Sequence, residues 1–249
     1  MLLSAIVNSL YIPWDFLLAL LFLGVIVPWR GARRMQRLLA KPDLSSSDRL
    51  KLYISTIVLQ WLLVGVIAAL SAYRSVSPWE LGVAVSQPSR VFWVALVLTA
   101  ILCLNQIFGI RKILSLPHER RGGLFAISEK IMPRTGKETF WYALLAATAG
   151  ISEEFIYRGF VFLCFVRMIV NYGSPNIAAA ILSSAWFAVA HVYQGRRGLV
   201  TTFIVGLIFA FTRIWSASIV PVVIAHFGMD LTIGICMWRF SGGVAQDAH

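Results

Sequence analysis

Seven apolar runs of about 20 residues each dominate this sequence, at roughly 8–28, 52–73, 91–110, 139–163, 176–195, 198–213 and 217–238. Hydrocarbon offers the backbone no water to bond with, so a run of this length is stable as a helix that satisfies its own N–H and C=O groups. The period-two alternation over ten-residue blocks that a membrane barrel needs is absent. The runs predict an all-α polytopic transmembrane helix bundle, one integral membrane domain over residues 1–249 with about seven spans. Composition excludes the other classes. With 59% hydrophobic and 13% charged residues the chain is too apolar for a soluble globule and too poor in polar residues for disorder. Three cysteines make no disulfide framework, and Cys103, Cys164 and Cys236 stand singly in apolar runs, where they read as small buried residues.

The charges then predict the orientation. Lys and Arg number 22 against 11 Asp and Glu. Arg30, Arg33, Arg34, Arg37, Lys41, Arg49 and Lys51 lie between runs one and two, and Arg111, Lys112, Arg120, Arg121, Lys130, Arg134 and Lys137 between runs three and four. Arg196, Arg197 and Arg239 join them if seven helices alternate, while Arg74, Arg90, Arg167 and Arg213 fall on or near the other side. Positive-inside bias puts the N-terminus outside and the C-terminus in the cytoplasm. The excess charge is thus topological. It suits anionic lipid at the cytoplasmic loops and predicts no nucleic-acid partner.

Local signals refine this picture. The first run has no basic segment before it and is followed by Pro28-Trp29-Arg30 instead of a small-residue cleavage site, so it is expected to be a retained helix. Asp15 sits near its outer end and reads as solvated. The sixth run is short and contains Gly206, so it is expected to be tilted, broken or shielded by its neighbours. Pro117 and Gly122-Gly123 break up the non-spanning segment 111–138, and Thr135 and Glu138 have the spacing of a capping box that starts the fourth span near Gly136.

Function is expected where charge interrupts apolar sequence, because each ionised group near a bilayer centre costs about 2.5–3.5 kcal/mol on insertion scales. The fourth run contains Glu153, Glu154 and Arg158, the fifth His191, and the seventh His226 and Asp230. Arg158 follows Glu154 by four residues, the favourable order for an intrahelical ion pair, which leaves Glu153 about 100° around the helix and free. His226 and Asp230 share a helix face by the same spacing. Ala180, Ser184 and Ala188 form a small-residue row that lets the fifth helix approach its neighbours. Depth raises a difficulty. Glu153 lies about 25 Å into an ideal helix, whereas His191 is a few residues from the basic pair 196–197. A tilt, a break at Gly150 or a first turn lying along the interface is expected to bring them together. His118 and His249 receive no role.

These groups fit water activation at a peptide carbonyl, a carboxylate or imidazole taking the proton and a second polar set stabilising the oxyanion. They fit equally a zinc-like divalent ion held by Glu153, His191 and His226. No G-x-S-x-G and no H-E-x-x-H occurs. Intramembrane Glu, His and Asp also suit a proton relay, so a proton-coupled membrane carrier or a non-catalytic immunity-type binding protein is the alternative. No inverted repeat supports a carrier.

Taken in order, Glu153-Glu154-x-x-x-Arg158, Phe187-x-x-x-His191 and His226-x-x-x-Asp230 resemble the CPBP family, the type II CAAX prenyl endopeptidases and the Abi group of bacteriocin-processing or immunity proteins. Thr148-Ala149-Gly150-Ile151 and Arg158-Gly159-Phe160 also look like bacterial members, and the resemblance covers about 135–232 as the catalytic-motif core. It implies an intramembrane protease of the inner membrane, its cavity open to the cytoplasm and its substrate a membrane-associated peptide or protein. By position, Glu153 with His191 would activate water, His226 and residue 230 would stabilise the oxyanion, and Glu154 and Arg158 would support the site. The family reads as metalloenzyme or glutamate-type, the metal-independent form being preferred. Residue 230 is Asp where prenyl-processing members resemble Asn. An ionised Asp cannot donate to an oxyanion, so Asp230 must be protonated or must orient His226.

Overall fold

The computed structural model describes residues 12–117, 120–121, 123–170 and 173–240, which leaves His118, His249 and the start of the first apolar run outside it. Every regular element among the described residues is helical. Helix α1 is Trp14–Leu39, with a π-helical stretch at Phe22–Ile26; α2 is Ser46–Tyr73, α3 Pro88–Leu114 and α4 the short Gly123–Ile131. Helix α5 covers 136–168 as an α-helix over Gly136–Glu153, a π-helix over Glu154–Val161 and an α-helix over Phe162–Met168. Helix α6 is Pro175–Ala190, followed by a 3-10 turn at Val192–Gln194, α7 at Gly195–Ser216 and α8 at Val220–Phe240.

Five segments are long and apolar enough to cross a membrane: α1, α2, α3, α7 with its preceding turn, and α8. The fourth and fifth predicted spans form helices too, α5 and α6. Helix α6, with 16 residues, covers only about 24 Å, short of a hydrocarbon core of about 30 Å. Helix α4 went unread in the sequence because its nine residues form no long apolar run.

Side chains at the helix starts explain where they begin. Ser45 and Asp48 make a reciprocal capping box at α2, Ser45 Oγ accepting from the Asp48 N–H at 3.1 Å and Asp48 Oδ2 from the Ser45 N–H at 3.2 Å. At α5 only half the expected box forms. Thr135 Oγ1 accepts from the Glu138 N–H at 3.3 Å, but the Glu138 carboxylate turns to the Arg134 N–H at 2.8 Å and to Arg49. Pro88 and Pro175 occupy first helical positions, where a missing N–H costs no helical bond. Arg30, Arg33, Arg34 and Arg37 ride on the continuation of α1 instead of a loop. Arg34 turns inward to hydroxyls of α2, Ser55 and Thr56.

Helix α5 runs through the bundle, packed against α2 and α8, while α6 packs on α7 and on the end of α5, and α3 on α8. The main core joins Phe16 of α1, Phe160, Val161 and Phe162 of α5, Ala179, Ala180 and Phe187 of α6, and Ala210 of α7. Two glycines mark close approaches between helices. A Cβ on Gly150 would lie 3.0 Å from the Val223 carbonyl oxygen and 3.1 Å from the Phe227 nitrogen, so α5 touches the α8 backbone there. A Cβ on Gly206 would lie 3.0 Å from that of Ser184, in the small-residue row of α6.

Two expectations are narrowed and one is corrected. Helix α7 is continuous and longer than the sixth run; Gly206 marks its contact with α6, shielded and unbroken. Helix α5 passes through Gly150 without a break, and its geometry changes only at Glu154, where the π-helix begins. Asp15 is not solvated: its side chain is 14% exposed and pairs with Arg74 at 2.8 Å, so its charge is matched across 59 residues of chain.

Candidate active site

The π-helical stretch of α5 carries the charged motif into the middle of the bundle. π-Helical turns are uncommon and cluster at functional sites. Here the stretch holds Glu154 and Arg158, both fully buried, with NH1 of Arg158 3.0 Å from Glu154 Oε1. The i, i+4 pair expected from sequence is present. The guanidinium also lies over the Phe187 ring at 4.1 Å and near Phe209 at 5.3 Å, a cation–π arrangement that suits a weakly hydrated cation away from water.

The same Glu154 oxygen accepts a second bond, from Nδ1 of His226 on α8 at 2.8 Å. A carboxylate only accepts, so Nδ1 carries the proton. The other ring nitrogen, Nε2, lies 3.6 Å from Asp230 Oδ2, beyond hydrogen-bond distance. His226 therefore sits between two carboxylates, one bonded and one adjacent. The Asp230 backbone carbonyl is held separately by the Tyr142 hydroxyl at 3.0 Å, which ties α5 to α8 one turn beyond the histidine.

Glu153 faces away from this cluster, as the helix geometry required. Its Oε1 accepts from Nε2 of Gln60 on α2 at 2.8 Å, and its Oε2 lies 3.8 Å from Nε2 of His191. His191 follows the last residue of α6, and its backbone N–H bonds the Ala188 carbonyl. That leaves the Phe187 carbonyl free for the ring, and Nδ1 lies 2.9 Å from it. The carbonyl is an acceptor, so Nδ1 donates and Nε2 of a neutral ring presents its lone pair to Glu153. Two acceptors face each other across 3.8 Å. Only a donor with two hydrogens can bond both, and water is the smallest.

Phe187 unites the two halves. Its ring centroid is 4.6 Å from that of His191, 6.3 Å from that of His226 and 5.1 Å from that of Tyr157. His191, His226 and Arg158 thus gather around one phenylalanine, and the six residues singled out in the sequence fall into two sets: Glu153 with His191, and Glu154, Arg158, His226 and Asp230. The set expected for a metal does not converge. His226 turns its nitrogens to Glu154 and Asp230, and no group of three or more His, Cys, Asp or Glu among the described residues is arranged to hold a metal ion. Sequence reading passed over Gln60, whose signal was a lone amide in the apolar run Ile57-Val58-Leu59-Gln60-Trp61.

A cleft of about 430 Å³ is lined by Leu39 of α1, Ala126, Ile127 and Lys130 of α4, and Tyr193, Gln194 and Gly195 where α6 passes into α7. The Tyr193 ring lies 5.9 Å from that of His191. No curated protein and no solved structure matches the chain. Residues 135–232, the stretch that contains Glu153, His191 and His226, match the family model described as type II CAAX prenyl endopeptidase Rce1-like. That segment, less than half of the chain, is similar to the CAAX-type membrane proteases, and with the apolar helices it supports an integral, multi-pass membrane protein.

Proposed function

We propose that this protein is an intramembrane endopeptidase that hydrolyses a peptide bond of a membrane-associated peptide or protein by means of a water activated by Glu153 and His191. The observation that carries this reading is the pair of acceptors, Glu153 Oε2 and His191 Nε2, 3.8 Å apart. A water bonded to both has its oxygen lone pairs directed away from them, toward an incoming carbonyl carbon. Glu153 takes the proton as the water attacks and returns it to the leaving amine. His226 stabilises the oxyanion when Nε2 carries a proton in addition to Nδ1, and Glu154 and Asp230 on either side balance that charge. Asp230 thereby acts by orienting and balancing His226 and not as a donor. Arg158 keeps Glu154 compensated in the core. Each step uses side chains of this chain alone.

We assign the mostly apolar cleft between α1, α4 and the Tyr193 turn as the approach for the peptide, because its Tyr193 ring lies 5.9 Å from that of His191. A CAAX-type C-terminal segment or a precursor peptide fits this approach. We assign α5 and α6 as the remaining two of seven spans, with the N-terminus outside, the C-terminus cytoplasmic and the cleft on the cytoplasmic side of a bacterial inner membrane. Anionic lipid meets Arg30, Arg33 and Arg37, all exposed on the α1 continuation.

The test is cleavage of a fluorogenic peptide library, including farnesylated peptides with a C-terminal Cys-x-x-x sequence, by the purified protein in proteoliposomes. Glu153→Ala and His191→Ala are each expected to lower kcat/KM by about 10²–10⁴-fold. Cleavage at wild-type rate by both variants refutes the assignment.

A further inference from the structure

Resting on the peptidase reading, we infer that Gln60 of α2 is a positioning residue for Glu153, so that the general base is oriented by a helix outside the family-matching segment. Among the described residues, Gln60 supplies the one hydrogen bond that the Glu153 carboxylate accepts. The orientation of the amide follows from chemistry: a carboxylate cannot donate, so the NH₂ group must face it. Turning the amide over would set carbonyl against carboxylate.

This arrangement has an energetic consequence that marks it as functional. With Nε2 committed to Glu153, the Gln60 carbonyl oxygen is buried and has no donor. A buried unpaired acceptor is unfavourable, and a leucine here would pack in the apolar run without one. The orphaned carbonyl persists with the N–H on Glu153. A residue that breaks local rules beside a reacting group is expected where position matters more than stability.

The surroundings deliver Gln60 to a defined height. Helices α2 and α5 are joined at the end that carries their N-termini by Arg49 and Glu138, and one turn on by the Tyr53 and Tyr142 rings, 5.8 Å apart. Beside Gln60 itself, Trp61 Nε1 donates to Thr148 Oγ1 at 3.3 Å. These contacts fix the register of the two helices, so the amide meets Oε1 of Glu153 and leaves Oε2 toward His191. Without the amide, the Glu153 side chain can rotate out of reach of the water that bridges to His191.

Kinetics of the full-length protein in proteoliposomes, on the library peptide that wild type cleaves best, test the assignment. Gln60→Leu is expected to lower kcat about 10²-fold with KM changed less than about twofold, the signature of a misplaced reacting group. Gln60→Glu is expected to match Gln60→Leu at neutral pH and to regain activity toward acid pH, where one proton shared by the two carboxyls restores the donor. A purely structural role moves neither the kcat-against-KM split nor the shape of the pH profile. Wild-type kcat in Gln60→Leu, or a wild-type pH profile in Gln60→Glu, overturns the Gln60 assignment while leaving the peptidase reading intact. A wild type inactive on every peptide overturns the peptidase reading, and this role with it. Thermal unfolding of Gln60→Leu, Glu153→Leu and the double variant gives a check without activity: non-additive shifts in Tm support the contact, and additive shifts refute it.

Discussion

Replacing Arg49 by methionine isolates the link that joins α2 to α5. Arg49 holds Glu138 through two bonds, Nε to Oε2 at 2.8 Å and NH2 to Oε1 at 3.1 Å, and its NH1 donates to the Leu44 carbonyl at 2.7 Å. The two side chains are 5% and 0% exposed. Removing one partner of a buried pair strands the other charge, at a cost of about 3–5 kcal/mol. Glu138 keeps the Arg134 N–H, which places Arg49→Met at the lower end, about 3 kcal/mol. In the double variant Arg49→Met, Glu138→Leu no charge is stranded. What remains unpaired is one N–H and one carbonyl at helix ends, about 1–2 kcal/mol together if water reaches them in part. The double variant is therefore expected to be more stable than Arg49→Met alone, an inversion that a mere sum of contacts does not give. Equilibrium unfolding in mixed detergent micelles, followed by tryptophan fluorescence, measures both. A single variant within about 0.5 kcal/mol of wild type, or a double variant less stable than the single, refutes the reasoning.

Asp230→Asn separates two roles for that residue. Because Oδ2 stands 3.6 Å from His226 Nε2 and balances the charge of that ring without a hydrogen bond, the amide is expected to lower kcat/KM by about 10- to 100-fold, and a wild-type value would show that the carboxylate charge is not required. At the opposite end of the bundle, outside the spans, the Ser77 N–H and then the Arg167 guanidinium hold the Glu80 carboxyl below its ordinary value. A lowered value in the folded state means the stabilisation is complete above the ordinary carboxylate value, about 4.3, and is lost as pH falls through the folded one. Hydrogen exchange of residues 74–87, corrected for intrinsic rates, should stay slow from pH 7 to about 5 and quicken below about 4. Unchanged protection at pH 3 would count against a stabilising role for the Glu80 contacts with Ser77 and Arg167.

Contacts that one helix makes with itself were legible in the sequence. Glu154 with Arg158, the shared face of His226 and Asp230, the Thr135 cap and the small-residue row at Ala180, Ser184 and Ala188 all follow from helical spacing, because 3.6 residues per turn fixes which side chains are neighbours. Contacts between helices were not. That Glu154 shares one oxygen between Arg158 and His226, that Asp15 finds Arg74, and that Gln60 meets Glu153 depend on helix register and rotation, which apolar runs do not specify. The partners of His226 were hidden for the same reason: spacing brought it near the acids but could not say which acid its nitrogens would take. Hydrophobicity likewise concealed α4, and gave no warning of the π-helical turn that begins at Glu154.

His191 also terminates its own helix. Its ring N–H occupies the Phe187 carbonyl, one of the acceptors that a helix end leaves open, because the backbone N–H has shifted to Ala188. The residue proposed to lend its lone pair to chemistry thus completes the end of α6, and the backbone bond fixes its tautomer without help from any neighbouring acid. Truncation to alanine removes both at once and cannot say which was lost. Asparagine, whose side-chain amide can stand in for Nδ1–H while offering nothing at the Nε2 position, closes the helix and silences the lone pair, and so divides the anatomy of α6 from its reactivity.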